Sequence, residues 1–301
     1  MPHTSTRQSM LRKSRYTLSV LACLVLGACG GGGGGGGSAA SGSGSDPAPA
    51  PVSGQANQPS QVVTPPPEVA QTNIKALVYL AQSVEQQFAD PSLRVDHLIN
   101  VTNDIFSNSE LSVKLSLAHL VTVDYPDGHT AEAALEHLTL ANHPVFDSVH
   151  QLRDDHSADV VLLVRPYAND GYCGYAWLGG SETSGDLSAY SDYAYAVVSS
   201  NCTDYVLSHE LGHLLGLSHS RRENDPEGTH PYARGFGMDN DFATIMASPA
   251  EFNATPLPIF SSPALNCNGQ PCGIEHTDAD GADAVRTLRV TAPQVQDYRS
   301  D

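Results

Sequence analysis

The chain has 301 residues, with 33 acidic against 15 basic side chains, a formal charge of −18 and 40% apolar residues. So acidic a surface excludes nucleic acid as the natural partner, because phosphate is gripped by lysine and arginine, and it suits a soluble protein in an exported setting. The length allows one domain of two lobes, or two small ones, behind any address segment.

Residues 1–28 read as such an address. Arg7, Arg12, Lys13 and Arg15 give a basic start, and residues 16–26 form an apolar stretch too short to cross a bilayer. The stretch closes on Leu26-Gly27-Ala28-Cys29, which resembles the bacterial lipobox, so Cys29 is expected to carry lipid and become the mature N-terminus. The alternative at Val20-Leu21-Ala22-Cys23 leaves a hydrophobic region of only about seven residues, near the lower limit for a signal. Plain cleavage after Ala28, giving a free secreted protein, is the competing reading. Gly30 stands where inner-membrane lipoproteins often carry Asp, which favours an outer-membrane location on either the periplasmic or the surface face. Residues 29–70 then run through glycine, Ser/Ala and Pro/Gln/Val with almost no charge and no apolar period. Such a stretch cannot bury enough surface to offset its ordering entropy, and reads as a tether with a mean reach on the order of 35 Å.

Residues 71–301 read as one domain. Buried strands are predicted at 74–80, 111–125, 159–164 and 193–199, and one or two helices over 83–106, interrupted at Pro91. Pro126-Asp127-Gly128 marks a turn. This alternation predicts an α/β sheet followed by an irregular lobe. In that second lobe Ala279, Ala282, Val285 and Leu288 recur at helical spacing behind Thr277, with Asp280 three residues on as a capping partner.

Residues 209–219 read H-E-L-G-H-L-L-G-L-S-H. On a helix, His209 and His213 lie one above the other on one face, with Glu210 beside them, so two imidazoles can grip one ion. Gly216 falls where the helix must stop, and a left-handed glycine there lets His219 supply a third ligand. Three neutral imidazoles leave one position open for water, the arrangement of a catalytic zinc site, and Glu210 is placed to be the base for that water. The fixed letters at this spacing would arise by chance in roughly one such chain in ten thousand, which sets coincidence aside. Leu207, Leu211, Leu214 and Leu215 form an apolar stripe on the other side of the helix, and Asn201, Thr203 and Asp204 offer capping oxygens at its start.

This elongated motif resembles the metzincin zinc endopeptidases, whose second mark is a methionine turn. Thr244-Ile245-Met246-Ala247 is similar to that turn. Residues 173–178 resemble the edge strand that binds substrate in these enzymes. Phe260-Ser261-Ser262-Pro263 and the helix near Thr277 resemble the bacterial reprolysin-like and peptidyl-Asp metallopeptidase branches. The resemblance implies a two-lobed zinc peptidase domain: a mixed sheet and helices in the upper lobe, an active-site helix, and an irregular lower lobe ending in a C-terminal helix. It implies substrate binding along Gly174, Tyr175, Ala176, Trp177 and Leu178, and a specificity pocket lined by residues after Met246. Ser220 follows the third histidine where astacins carry Glu, adamalysins Asp and serralysins Pro, so the branch stays open. Ala247 and Ser248 follow Met246, which removes the tyrosine that astacins and serralysins place there. Tyr232 is a weaker candidate for steadying an oxyanion, and Arg234 is the one basic group available to an acid-preferring pocket.

Cys173, Cys202, Cys267 and Cys272 remain once the address is removed and Cys29 carries lipid, an even set for which disulfides are the expected use. Three pairings are open. The favoured one joins Cys173 to Cys202 and Cys267 to Cys272. The acidic loops at 223–227 and 239–241 offer ligands for calcium, against the plainer reading of solvated surface. The function expected is a zinc endopeptidase acting on protein or peptide segments from a lipid anchor. Two alternatives compete with it: a surface adhesin that keeps zinc for structure alone, and a gluzincin-type enzyme using Glu223 as third ligand.

Overall fold

A computed structural model describes residues 20–23 and 70–299. The expected lipid site at Cys29 and the tether up to residue 69 lie outside the described residues, as does the address segment apart from residues 20–23. In chain order the strands are β1 (Val20–Cys23), β2 (Thr72–Ala81), β3 (Val113–Val123), β4 (Val160–Arg165), β5 (Gly174–Trp177) and β6 (Tyr195–Ser199). They form one sheet in the order β1-β5-β6-β4-β2-β3. The pairs β2/β3, β2/β4 and β4/β6 are parallel, and β5 runs antiparallel to both β6 and β1.

The parallel strands β2, β4 and β6 are buried on both faces, which is why they read as continuous apolar runs, while β3 at the sheet edge is only half-buried. In β2, Ile74, Ala76, Val78 and Leu80 face one core while Leu77 and Tyr79 face the other. The first core is closed by α1 (Pro91–Asn108), α4 (Val206–Leu214) and α6 (Ala284–Gln296), through Leu98, Phe106, Leu207, Leu211, Leu288 and Val295. The second is closed by α2 (Ala131–Leu140) and α3 (Val149–Asp155), through Leu135, Leu138 and Val149. Strand ends fall close to the sequence expectation. The expected helical stretch is two pieces with the break at Pro91: a 3-10 turn over Gln82–Gln86, then α1, of which Pro91 is the first residue, behind an Asp90 cap whose Oδ1 accepts from Ser92 N at 3.1 Å.

Past Gly216 the chain forms an irregular lower lobe built from the one-turn helix α5 (Pro249–Phe252) and two-residue strand pairs, Phe242–Ala243 with Thr255–Pro256 and Asn266–Cys267 with Gln270–Pro271. Disulfides join Cys173 to Cys202 and Cys267 to Cys272. The C-terminal helix begins later than expected. Ile274 and Ala282 exchange backbone hydrogen bonds at 3.0 Å, which holds the intervening residues, Thr277 and Asp280 among them, in a loop. Asp283 takes the cap instead, its Oδ1 accepting from Arg286 N at 3.1 Å, and α6 then returns to the first core.

Candidate metal centre and cleft

The helix that carries His209, Glu210 and His213 is α4, and all nine of its residues are buried. The caps expected for it are employed elsewhere. Asn201 Oδ1 accepts from Tyr167 N at 2.8 Å, Asp204 pairs with Arg94 at 2.5 Å and with His97 at 3.1 Å, and Tyr205 occupies the cap position without a side-chain bond. At the other end Gly216 adopts φ +89°. Gly216 N donates to His213 O and Leu217 N to Gly212 O, each at 2.9 Å, the paired bonds by which a left-handed glycine reverses the chain at a helix end. Ser218 N then donates to Ala233 O at 2.8 Å, and Gly235 N to Ser218 O at 3.2 Å, which fixes the approach of His219.

His209, His213 and His219 are 8%, 0% and 2% exposed, and one nitrogen from each lies within 4.8 Å of the other two. The Nε2 atoms of His209 and His219 are 2.9 Å apart. On the outer side each Nδ1 meets an acceptor: Ile245 O at 2.7 Å for His209, Leu217 O at 2.8 Å for His213 and Asp225 Oδ2 at 2.6 Å for His219. With the proton held at Nδ1, each Nε2 presents a lone pair to the shared centre, and the acceptors fix ring orientation. Burial, reinforced by the neighbouring imidazoles, pushes His209 down to about 3 and His213 well below its ordinary value, so both are neutral across the physiological range. Buried, convergent imidazole nitrogens are the donor set a divalent zinc ion takes.

The carbonyl that orients His209 belongs to the turn Thr244-Ile245-Met246-Ala247, closed by Ala247 N donating to Thr244 O at 2.9 Å. Met246 is fully buried beneath α4, where a Cβ on Gly212 would come within 2.5 Å of its sulfur, so the methionine and the glycine inside the motif need each other. Glu210 is fully buried as well, and its carboxylate lies against Gly174 so closely that any Cβ there would overlap it. Gly174 thus makes room for the acid. Tyr175 and Ala176 are buried, Trp177 donates from Nε1 to Thr139 Oγ1 at 2.8 Å, and Leu178 lies beyond β5 in the core. What β5 offers is its backbone edge, on which β1 lies antiparallel, Val20 opposite Trp177 and Cys23 opposite Gly174.

Beside His209, Glu210 and His219 opens a cleft walled mainly by Tyr205, Val206, Ile245, Ala247, Pro249 and Pro256, with Thr203, Thr244, Ser248 and Glu223 adding polar atoms. Tyr232 is not part of it. Its ring stacks on His230 at 4.8 Å and meets His276 edge-on. Arg234 is buried and turned away, donating to His219 O at 3.3 Å and Asp225 O at 3.4 Å. The acids of the lower-lobe loops have protein partners too: Asp225 with His219, Glu223 with Ser220 and Ser248, Asp239 with Arg222, and Asp241 with Asn268. Asp225 escaped the sequence reading because an acid in an acidic loop carries no periodic or motif signal.

Residues 67–277 match the metallo-peptidase family M12B, reprolysin-like. A peptidyl-Asp metalloendopeptidase of Pseudomonas aeruginosa is 33% identical over 230 aligned positions, which cover 70% of this chain and 37% of that protein. One from Stenotrophomonas maltophilia is 32% identical, covering 66% and 46%, and one from Xanthomonas campestris is 28% identical, covering 65% and 44%. The chain spans less than half the length of these relatives. Among solved structures, a chain from a chaperone-substrate complex superposes with a TM-score of 0.60 at 22% identity, over 77% of this chain and 40% of that one, a likeness of fold alone.

Proposed function

The chain belongs to the reprolysin-like metallo-peptidase family M12B, and on that premise we propose that residues 71–301 are a zinc-dependent endopeptidase acting on extended segments of protein or peptide. The observation that carries this reading is the histidine triangle, in which every Nδ1 already has an acceptor and the opposite nitrogens converge. Zinc bound there would lower the pKa of a water toward neutrality and polarise a peptide carbonyl. His209, His213 and His219 would hold the ion. Glu210 takes the proton from the attacking water and returns it to the leaving amine, and Gly174 keeps the space in which that carboxylate sits. The edge of β5 away from β6 supports the placing of substrate, since it already takes one extended segment, Val20–Cys23, antiparallel along four residues. A peptide would take the same edge, with backbone bonds supplying affinity and the cleft supplying choice.

We also propose export and lipid attachment at Cys29, on the strength of the Leu26-Gly27-Ala28-Cys29 sequence and the tether behind it. Stable attachment needs two or more acyl chains, so Cys29→Ser should move the protein from the detergent to the aqueous phase; a wild-type protein found only in the aqueous phase contradicts the anchor. The peptidase reading is tested by digesting a peptide library with the full chain, with and without a zinc chelator. Cleavage that stops with chelator and returns with zinc supports it, and an intact library removes it.

A further inference from the structure

Resting on the peptidase reading, we infer that Glu223 is a specificity-determining residue that turns acidic side chains away from the cleft and leaves it to neutral, apolar ones. Glu223 closes a short 3-10 turn, Arg221–Glu223, that starts directly after His219 and Ser220. Its Oε2 accepts from Ser220 Oγ at 2.7 Å and from the backbone N–H of Ser220 and of Ser248, each at 3.2 Å. Those three donors come from the loop of the third histidine and from the segment two residues past Met246. The carboxylate is therefore fixed in the cleft wall, where one side belongs to the metal centre and the other to the pocket.

No lysine or arginine lines this cleft among the described residues. The nearest guanidiniums in sequence are committed: Arg221 donates to Pro231 O at 2.9 Å, Arg222 pairs with Asp239 and lies over the Phe252 ring at 4.2 Å, and Arg234 serves His219 O and Asp225 O. A substrate carboxylate entering here would lose water, meet no lysine or arginine and face the fixed Glu223 carboxylate. An apolar side chain would instead bury against Tyr205, Val206, Ile245, Ala247, Pro249 and Pro256. This separates the chain from what the name peptidyl-Asp metalloendopeptidase says of its relatives.

The test begins with a random-peptide digest by the zinc-loaded full chain, which identifies the substrate position that is selected. Matched peptides carrying Leu or Asp at that position then give kcat/KM. The wild type should favour Leu by about tenfold or more, and Glu223→Gln, checked for one zinc per chain, should narrow that ratio about fivefold by lowering KM for the Asp peptide. Ser248→Lys keeps the backbone N–H that Glu223 accepts from and adds a cation beside that carboxylate, so it should shift the ratio toward Asp by about tenfold. A wild type that prefers Asp, or a ratio that Glu223→Gln does not move, overturns the inference while leaving the peptidase reading intact. A library left uncut by the zinc-loaded chain removes both.

Discussion

The two lobes hold the same three histidines by different means. In the upper lobe, α4 sets His209 and His213 one turn apart, and the stripe of Leu207, Leu211, Leu214 and Leu215 clamps that helix to the sheet. In the lower lobe nothing periodic places His219. Its position follows from the Gly216 reversal, from backbone bonds of Ser218 to Ala233 and Gly235, and from the Asp225 carboxylate. The lower lobe also reaches back to the helix, because the carbonyls that orient His209 and His213 belong to Ile245 and Leu217. A helix is enough to bring two ligands together; aiming three of them takes the irregular lobe.

The sharpest way to break this division is in the upper lobe, where Glu210 depends on the missing side chain of Gly174. Gly174→Ala should displace the carboxylate by close to an ångström and lower kcat by about 10²-fold, with one zinc per chain retained. Zinc content measured beside peptidase rate checks this, and an alanine variant of unchanged rate contradicts the contact. In the lower lobe, Asp225→Asn should leave the fold intact and weaken zinc by about 10- to 100-fold, since the amide orients His219 less well than the carboxylate does. Competition against a chromophoric chelator reads that affinity. A variant with unaltered affinity would place the holding of His219 in the backbone alone.

A smaller effect distinguishes the sheet from the site. Asp159 is fully buried at the start of the parallel core, and burial pushes its carboxyl from 3.8 up to about 6. The folded state therefore binds this proton more tightly than the unfolded chain. The associated stability is present below pH 3.8 and is lost as pH rises through 6, above which the buried charge costs at most about 3 kcal/mol. Asp159→Asn should accordingly raise the melting temperature at pH 8 by on the order of 5 °C and give no such gain at pH 4. Thermal melts of both proteins across that range decide it, and a gain that is flat with pH would assign the effect to packing instead of charge.

These differences follow what the sequence makes legible. β2, β4 and β6 are readable to within a few residues because strands buried on both faces must be continuous apolar runs, and the edge strand β3 by its β-branched and apolar content. Met246 stands out only through the family resemblance, whereas α4 is readable because two histidines one turn apart and a glycine stop leave a fixed spacing. The contact of Gly174 with Glu210, the carbonyls of Ile245 and Leu217 and the carboxylates of Asp225 and Glu223 are not. Each is made by a backbone atom, a missing Cβ or an acid among other acids, and most join segments far apart in the chain. The caps expected at Thr277, Asn201 and Asp204 fail for a related reason. A tertiary partner, the Ile274–Ala282 bridge, the Tyr167 backbone or Arg94, takes the group that local sequence assigns to the helix.

The central claim is that the histidines hold the ion while Glu210 moves the proton, and Glu210→Gln separates these two roles most directly. The substitution leaves His209, His213 and His219 with their Nδ1 acceptors, so metal analysis should still find one zinc per chain, while the rate of peptide hydrolysis should fall by about 10²-fold or more. A Glu210→Gln protein that keeps its zinc and hydrolyses peptides at the wild-type rate would contradict the account.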